Sequence, residues 1–300
     1  MTVVPASLSD ATPATVPVSV DGPHGPIRLK WHKLRTHFTE APFKPSNLAL
    51  GWRLGASLEI DILVAADQRF VVAHDATLGP STTGRGRVAS MPLAAMAGLF
   101  HRDRAGVAGP ASPLLSLAEL VAPLRSQPRA PGALLQLDLK LLQVDALSQA
   151  SIDDATAAVS GLEQAIIVGS QCLDEARHLA AAMPGARLGY DPMRAASRDP
   201  GLARDSKRLF RHMQRRRDGI AFAYLRFDLV IASEARGFPL VARLLDLGIE
   251  TDAWTVNPGS QLSNAALRAL VEAKVRQITT DAPSEIAHRI TALYCAGPGA

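Results

Sequence analysis

Residues 56–75 read ASLEIDILVAADQRFVVAHD. Leu58, Ile60, Ile62 and Val64 alternate with Glu59, Asp61 and Leu63, which is the period of a β-strand. Side chains two residues apart leave the same face of a strand, so Glu59 and Asp61 project together from inside an apolar run. Two neighbouring carboxylates repel unless a positive charge stands between them, and an all-oxygen ligand set suits Mg²⁺ or Ca²⁺ rather than Zn²⁺. The polar face of an amphipathic edge strand would look the same, so the pair by itself leaves both readings open. After a short Ala-Ala-Asp-Gln turn, RFVVAHD reads as the second arm of a hairpin and ends on His74 and Asp75.

Outward from this hairpin, short apolar runs alternate with segments of helical length. IRLKWHK, ALLQLDLK, AIIVGS, ARLGY, FDLVIA, IETDAWTVN and VRQITTD read as further strands. PLLSLAELVAPL, LDEARHLAAAM, EARGFPLVARLLDLG and SNAALRALVEA read as helices between them. Repeated strand–helix alternation argues a parallel sheet. With the hairpin counted as one unit there are eight strands, which predicts a (β/α)8 TIM barrel as a single domain over residues 27–300. An open doubly wound sheet is the alternative, but no Gly-x-Gly-x-x-Gly follows the first strand, so a dinucleotide fold has no support. Residues 101–113, HRDRAGVAGPASP, form the largest candidate insertion. Residues 1–26, rich in Ser, Thr, Pro and Ala, read as a flexible leader, without the basic start and apolar core of a signal peptide.

The 300 residues are 47% hydrophobic and 20% charged, with a net charge of +4, an ordinary soluble composition. No run approaches the ~18 consecutive apolar residues of a membrane span. Two cysteines, Cys172 and Cys295, make neither a disulfide framework nor a metal-binding spacing, and the cytoplasm is the expected compartment. The basic stretch KRLFRHMQRRRDG, residues 207–219, reads as a helix with Leu209, Phe210 and Met213 inward and its arginines in solvent. Without interleaved aromatics or a zinc motif it gives no case for nucleic acid.

In a TIM barrel, catalytic groups gather at the C-terminal ends of the strands. The polar residues inside or ending the predicted strands are His32, Glu59, Asp61, His74, Asp138, Lys140, Ser170, Asp252, Trp254, Asn257 and Asp281. Asp138 and Lys140 again lie two apart and share a face. Three inward carboxylates, two histidines and a lysine are costly to bury without a metal or an anionic ligand.

This set resembles the glycerophosphodiester phosphodiesterase family of metal-dependent TIM-barrel enzymes. The resemblance runs from about Leu29 to Pro283. The family's His-Arg pair after the first strand appears as His32 with Lys33, and its Glu-x-Asp as Glu59-Ile60-Asp61, 27 residues on from His32. Its HD pair is His74-Asp75, and STTGRGRV matches the TTxGxGxV that follows. Its Glu-x-Lys strand corresponds to Asp138-Leu139-Lys140, its serine after the fourth strand to Ser170, and its last two strands to WTVN and ITTDAP. Lys33 stands where the family has arginine, Asp138 is one methylene shorter than the usual Glu, and the family's ENT turn is replaced around residues 41–47.

The resemblance implies hydrolysis of glycerophosphodiesters to glycerol 3-phosphate and an alcohol. It implies a divalent Mg²⁺ or Ca²⁺ held by Glu59, Asp61 and Asp138, and His32 and His74 as the acid–base pair. Lys33, Lys140 and Trp254 would face the substrate. His37, close after the same strand, is the rival to His32, and the spacing to Glu59 favours His32. The remaining histidines, His101, His178, His212 and His288, read as surface residues. A phospholipase D-like lyase that forms a cyclic phosphate from lysolipids is one alternative function. A phosphopolyol-binding barrel without turnover is another.

Overall fold

The apolar runs condense into one ring of parallel strands. The structure, a computed structural model, describes residues 15–140, 147–258 and 262–295; residues 1–14 of the stretch read as leader lie outside these. In chain order the barrel strands are β1 Gly25–Trp31, β2 Ser57–Val64, β3 Leu134–Leu139 and β4 Ile166–Ser170. They continue as β5 Arg187–Tyr190, β6 Ile220–Arg226, β7 Glu250–Trp254 and β8 Gln277–Thr280. Each pairs in parallel with the next. β1 also pairs with β8, Arg28 beside Gln277 and Trp31 beside Thr280, and this closes the ring.

Helices cover the outside. Pro45–Leu54 follows β1, Gln149–Val159 follows β3 and Leu173–Ala181 follows β4. Ser206–Arg216 precedes β6, Asn264–Glu272 precedes β8, and Pro283–Cys295 ends the described chain. Strands buried on both faces read as near-continuous apolar runs, and β2 does so: Leu58, Ile60 and Ile62 are sealed under the helices while Glu59 and Asp61 face the barrel axis. The expected hairpin forms, with Phe70–Val72 antiparallel to β2. Ser19–Gly22, inside the stretch read as leader, runs antiparallel along β1. The candidate insertion is a second hairpin, Phe100–Arg102 against Ala108–Pro113. Among the described residues no helix is long and apolar enough to cross a membrane.

One strand assignment is corrected. FDLVIA is not the sixth strand; it opens a helix, Phe227–Ala235, and the strand is the preceding run IAFAYLR. Six apolar residues fit either period. Local chemistry decides: Gly219 turns the chain at φ 76° just before β6, and Asp228, ion-paired with Arg226, lies in the first helical turn. The basic helix does bury Leu209 and Met213 and exposes its arginines. Two histidines expected at the surface are core residues instead. His101 packs edge-on against Phe43 at 5.0 Å, and His212 shares a 3.0 Å hydrogen bond with the Tyr190 hydroxyl.

The barrel interior is polar in its middle layer. Lys30, 2% exposed, pairs with Asp252 at 2.5 Å, donates to Gln136 and lies 4.4 Å above the Tyr224 ring. Asp252 also accepts from Gln277 and Thr279 at 2.6 Å each. Charges taken this far from water hold only when every partner is in place. Asp252, one of the polar strand residues of the sequence reading, therefore belongs to a structural plug. A Cβ at Gly169 would come within 2.9 Å of the Tyr224 ring, and at Gly189 closer still, so both glycines make room for that ring.

Candidate active site

Strand register builds the acidic centre. Asp61 lies directly beside Asp138 in the parallel β2–β3 pair, and Glu59 is one pleat below Asp61 on the same face. One oxygen from each of the three carboxylates falls within 4.8 Å of the others. Lys140 reaches Asp138 at 2.6 Å and Asp61 at 3.1 Å, and Lys33 reaches Asp61 at 3.5 Å. The two lysines approach Asp61 without the alignment of a hydrogen bond, so both of its buried oxygens remain open acceptors. Burial, then the charges of Asp61 and Asp138, push the Glu59 carboxyl well above the carboxylate range. Burial opposes ionisation of Asp61 too, but Lys140 and Lys33 hold it well below that range. The cluster thus favours ionisation at Asp61 and opposes it at Glu59. A divalent cation among the three oxygen donors would offset their mutual repulsion, so the residues fit a hard metal ion.

The turn after β1 aims both the main chain and the side chain of Lys33 at this centre. His32–Leu34 form a tight turn in which Lys33 (φ 54°) and Leu34 (φ 58°) are left-handed, a conformation that costs a non-glycine residue roughly 1–2 kcal/mol. The turn is held from outside. Phe43 N–H donates to the Lys33 carbonyl at 2.7 Å and Asn47 Nδ2 to the Leu34 carbonyl at 2.8 Å. Asn47 comes from the segment that replaces the ENT turn. In return Lys33 N–H donates to Glu59 Oε2 at 2.7 Å.

His32 and His74 both border the same cavity of about 280 Å³, at the C-terminal mouth of the barrel, together with Lys33, Lys140 and Trp254. Nδ1 of His32 is 2.7 Å from Asp281 Oδ1. Burial lowers the His32 pKa and outweighs Asp281, which raises it. The neutral ring therefore donates Nδ1–H to Asp281, leaving Nε2 as its free acceptor. Asp281 is shared further: Arg35 reaches Oδ1 at 3.2 Å, while Arg104 and Asn257 reach Oδ2 at 2.5 and 2.8 Å. Although burial resists it, the His32 hydrogen bond and the two arginines hold Asp281 well below the carboxylate range. His74 is tied to its neighbour, Nδ1 to Asp75 Oδ1 at 2.8 Å. Asp75, next to it in the bend that follows the hairpin strand, turns its carboxylate back onto the His74 ring. His37 borders a separate shallow groove with Glu40 and Lys44. Ser170 bonds the Leu139 carbonyl and Cys172 N–H, a structural role.

Several residues at this mouth escaped the sequence reading. Asp191 and Gln171 border the cavity from the ends of β5 and β4, and burial pushes Asp191 up to about 7. Arg35 and Arg104 act through Asp281. Arg104 comes from the inserted hairpin and also lies 3.9 Å over the Phe38 ring. A carboxylate directly after the short strand ARLGY was the one available signal for Asp191. For Arg104, 177 residues from Asp281, there was none.

No protein-family model matches the sequence, and no curated protein matches it. Solved structures do match the fold. A putative glycerophosphoryl diester phosphodiesterase from Silicibacter pomeroyi superposes with a TM-score of 0.69 at 20% identity, over 91% of this chain and 96% of that one. One from Agrobacterium tumefaciens gives 0.64 at 18%, over 89% and 98%. An Oleispira antarctica phosphodiesterase in complex with the product sn-glycerol-3-phosphate gives 0.60 at 17%, over 88% and 96%. At such identity the likeness establishes the closed TIM barrel over nearly the whole chain.

Proposed function

We propose that this protein is a divalent-metal-dependent phosphodiesterase that hydrolyses glycerophosphodiesters to glycerol 3-phosphate and an alcohol. The observation that carries the reading is one cavity bordered by Glu59 and Asp138 of the three-carboxylate cradle and by two histidines, each tethered through Nδ1 to its own carboxylate. The product held by the Oleispira antarctica enzyme, on the same fold, supports the substrate class. Glu59, Asp61 and Asp138 would hold Mg²⁺ or Ca²⁺, which when bound offsets charge growing on the phosphoryl oxygens. Lys33 and Lys140 add fixed positive charge on either side of that centre. His32, neutral and oriented by Asp281, takes a proton of the attacking water on Nε2. His74, with Nδ1 engaged by Asp75, delivers a proton from Nε2 to the leaving alkoxide. Trp254 packs against the substrate's carbon skeleton. With two cysteines in 300 residues, the setting we propose is the cytoplasm.

Phosphorus NMR of products from a panel of glycerophosphodiesters, with Mg²⁺ or Ca²⁺ present, tests the reading. A monoester product is expected. An accumulating cyclic phosphate would mean a lyase using a substrate hydroxyl as nucleophile, and no turnover of any diester would refute the hydrolase.

A further inference from the structure

We infer that the basic surface built by residues 194–218, between β5 and β6, docks the protein on an anionic lipid surface. This segment holds nine of the chain's 32 lysines and arginines but three of its 28 acids, a net +6 in a chain whose total is +4. The rest of the molecule is therefore slightly acidic, and the positive charge is local. The segment begins three residues after Asp191, which borders the cavity, so the basic surface starts at the mouth of the barrel.

The helix Ser206–Arg216 carries no acid. Lys207, Arg211 and Arg215 stand four residues apart on it, so their side chains form one exposed row. Like charges at that spacing repel and destabilise a helix, and one that merely faced water would gain from an acid in the row. None of the three has an ion pair among the described residues. The acids beside them are already engaged. Asp205 caps the helix, accepting from Lys207 and Arg208 N–H at 2.8 and 3.1 Å, and Asp199 holds the Arg208 guanidinium at 2.6 Å. Two more arginines come from flanking elements. Arg236 donates to the Arg204 carbonyl at 2.9 Å. Arg177, paired with Asp174 at 3.5 Å, donates to the Arg216 and Asp218 carbonyls at 3.3 and 3.2 Å.

A lipid surface suits this array better than a nucleic acid. Phe210, the one phenyl ring of the helix, packs edge-on against Phe238 at 6.1 Å and is not free to stack on a base. Mobile anionic headgroups gather beneath any cluster of basic side chains and need no partner of fixed spacing. Each Lys or Arg near such a surface is worth roughly fivefold in affinity, so the row of three supplies ~10²-fold.

The full-length protein is sedimented with vesicles of phosphatidylcholine, alone or with roughly a third phosphatidylglycerol, at about 0.1 M salt. Binding to the anionic vesicles only, lost at high salt, is expected. The triple variant Lys207→Gln/Arg211→Gln/Arg215→Gln should bind ~10²-fold more weakly, with its Tm and its turnover of a soluble diester unchanged. If the triple variant melts early, Arg211→Gln alone decides, with an expected loss of roughly fivefold. Arg53→Gln, on the helix after β1 and across the barrel, should leave binding as it is. No binding to anionic vesicles, equal binding to both kinds, or variants of the row that bind like wild-type would overturn the inference. A duplex oligonucleotide that displaces the protein from vesicles would give the surface to nucleic acid instead. Vesicle binding needs no turnover, so its outcome is separate from that of the phosphodiesterase reading.

Discussion

Replacing Asp281 with asparagine should damage catalysis more than replacing it with alanine, although asparagine is the milder change for stability. Oδ2 receives two donors that cannot reverse, Arg104 Nη2 and Asn257 Nδ2, whereas Oδ1 receives one such donor, Arg35, plus the ring nitrogen of His32. The amide introduced by Asp281→Asn must point its NH₂ one way. Toward the Oδ2 side it meets two fixed donors; toward the Oδ1 side only Arg35 is fixed, because imidazole can accept at Nδ1 by moving its proton to Nε2. The NH₂ therefore turns to His32 and locks the wrong tautomer, with no lone pair left for the substrate. That removes a general base, a loss of ~10²–10⁴ in kcat. In Asp281→Ala both tautomers stay accessible, so the loss should be about tenfold smaller. Stability should rank the other way: alanine removes the acceptor of Arg35, Arg104 and Asn257 at once, while asparagine keeps an oxygen for Arg104 and Asn257. The assay is kcat for glycerol 3-phosphate release at saturating diester and metal, alongside urea unfolding and imidazole ¹⁵N shifts to read the tautomer. An asparagine variant as active as the alanine variant, or one with the wild-type tautomer, would refute this reasoning.

Three other outcomes are expected. Mg²⁺ or Ca²⁺ at about 100 times its Kd should stabilise the fold by about 2.7 kcal/mol, a Tm rise of roughly 5 °C. Asp61→Asn, which weakens the centre of the cradle, should lose that rise, and an unchanged shift would place the ion elsewhere. Lys33→Arg should raise kcat/KM on a good diester roughly threefold or more, since a guanidinium grips phosphate with two parallel hydrogen bonds. A tenfold loss instead would show the lysine matched to another ligand. Burial lowers His101 to about 4, below its unfolded value of 6.5. The unfolded chain therefore takes up this proton first as pH falls. The stability is complete above pH 6.5 and is lost between 6.5 and about 4, on the order of 3 kcal/mol. Urea unfolding at pH 7 and pH 4.5 should show His101→Gln less acid-sensitive than wild-type; equal sensitivity would argue against it.

Where the backbone period does the placing, sequence alone was enough. A two-residue repeat puts Glu59 with Asp61 on one face of a strand whatever surrounds it, and alternation of strands with helices permits few topologies other than the barrel. FDLVIA marks where that logic gives out, because six apolar residues satisfy helix and strand alike and the neighbouring turn and ion pair decide. Tertiary structure alone set the register that brings Asp138 beside Asp61, and it buried His101 and His212, whose neighbours are remote in the chain. It also gave Asp281 to His32, Arg35, Arg104 and Asn257 at once, and set Asp191 on the wall facing the metal-type ligands. The reason is physical: facing along one strand is fixed by local geometry, but which charges share a carboxylate depends on ring closure, which joins residues hundreds of positions apart.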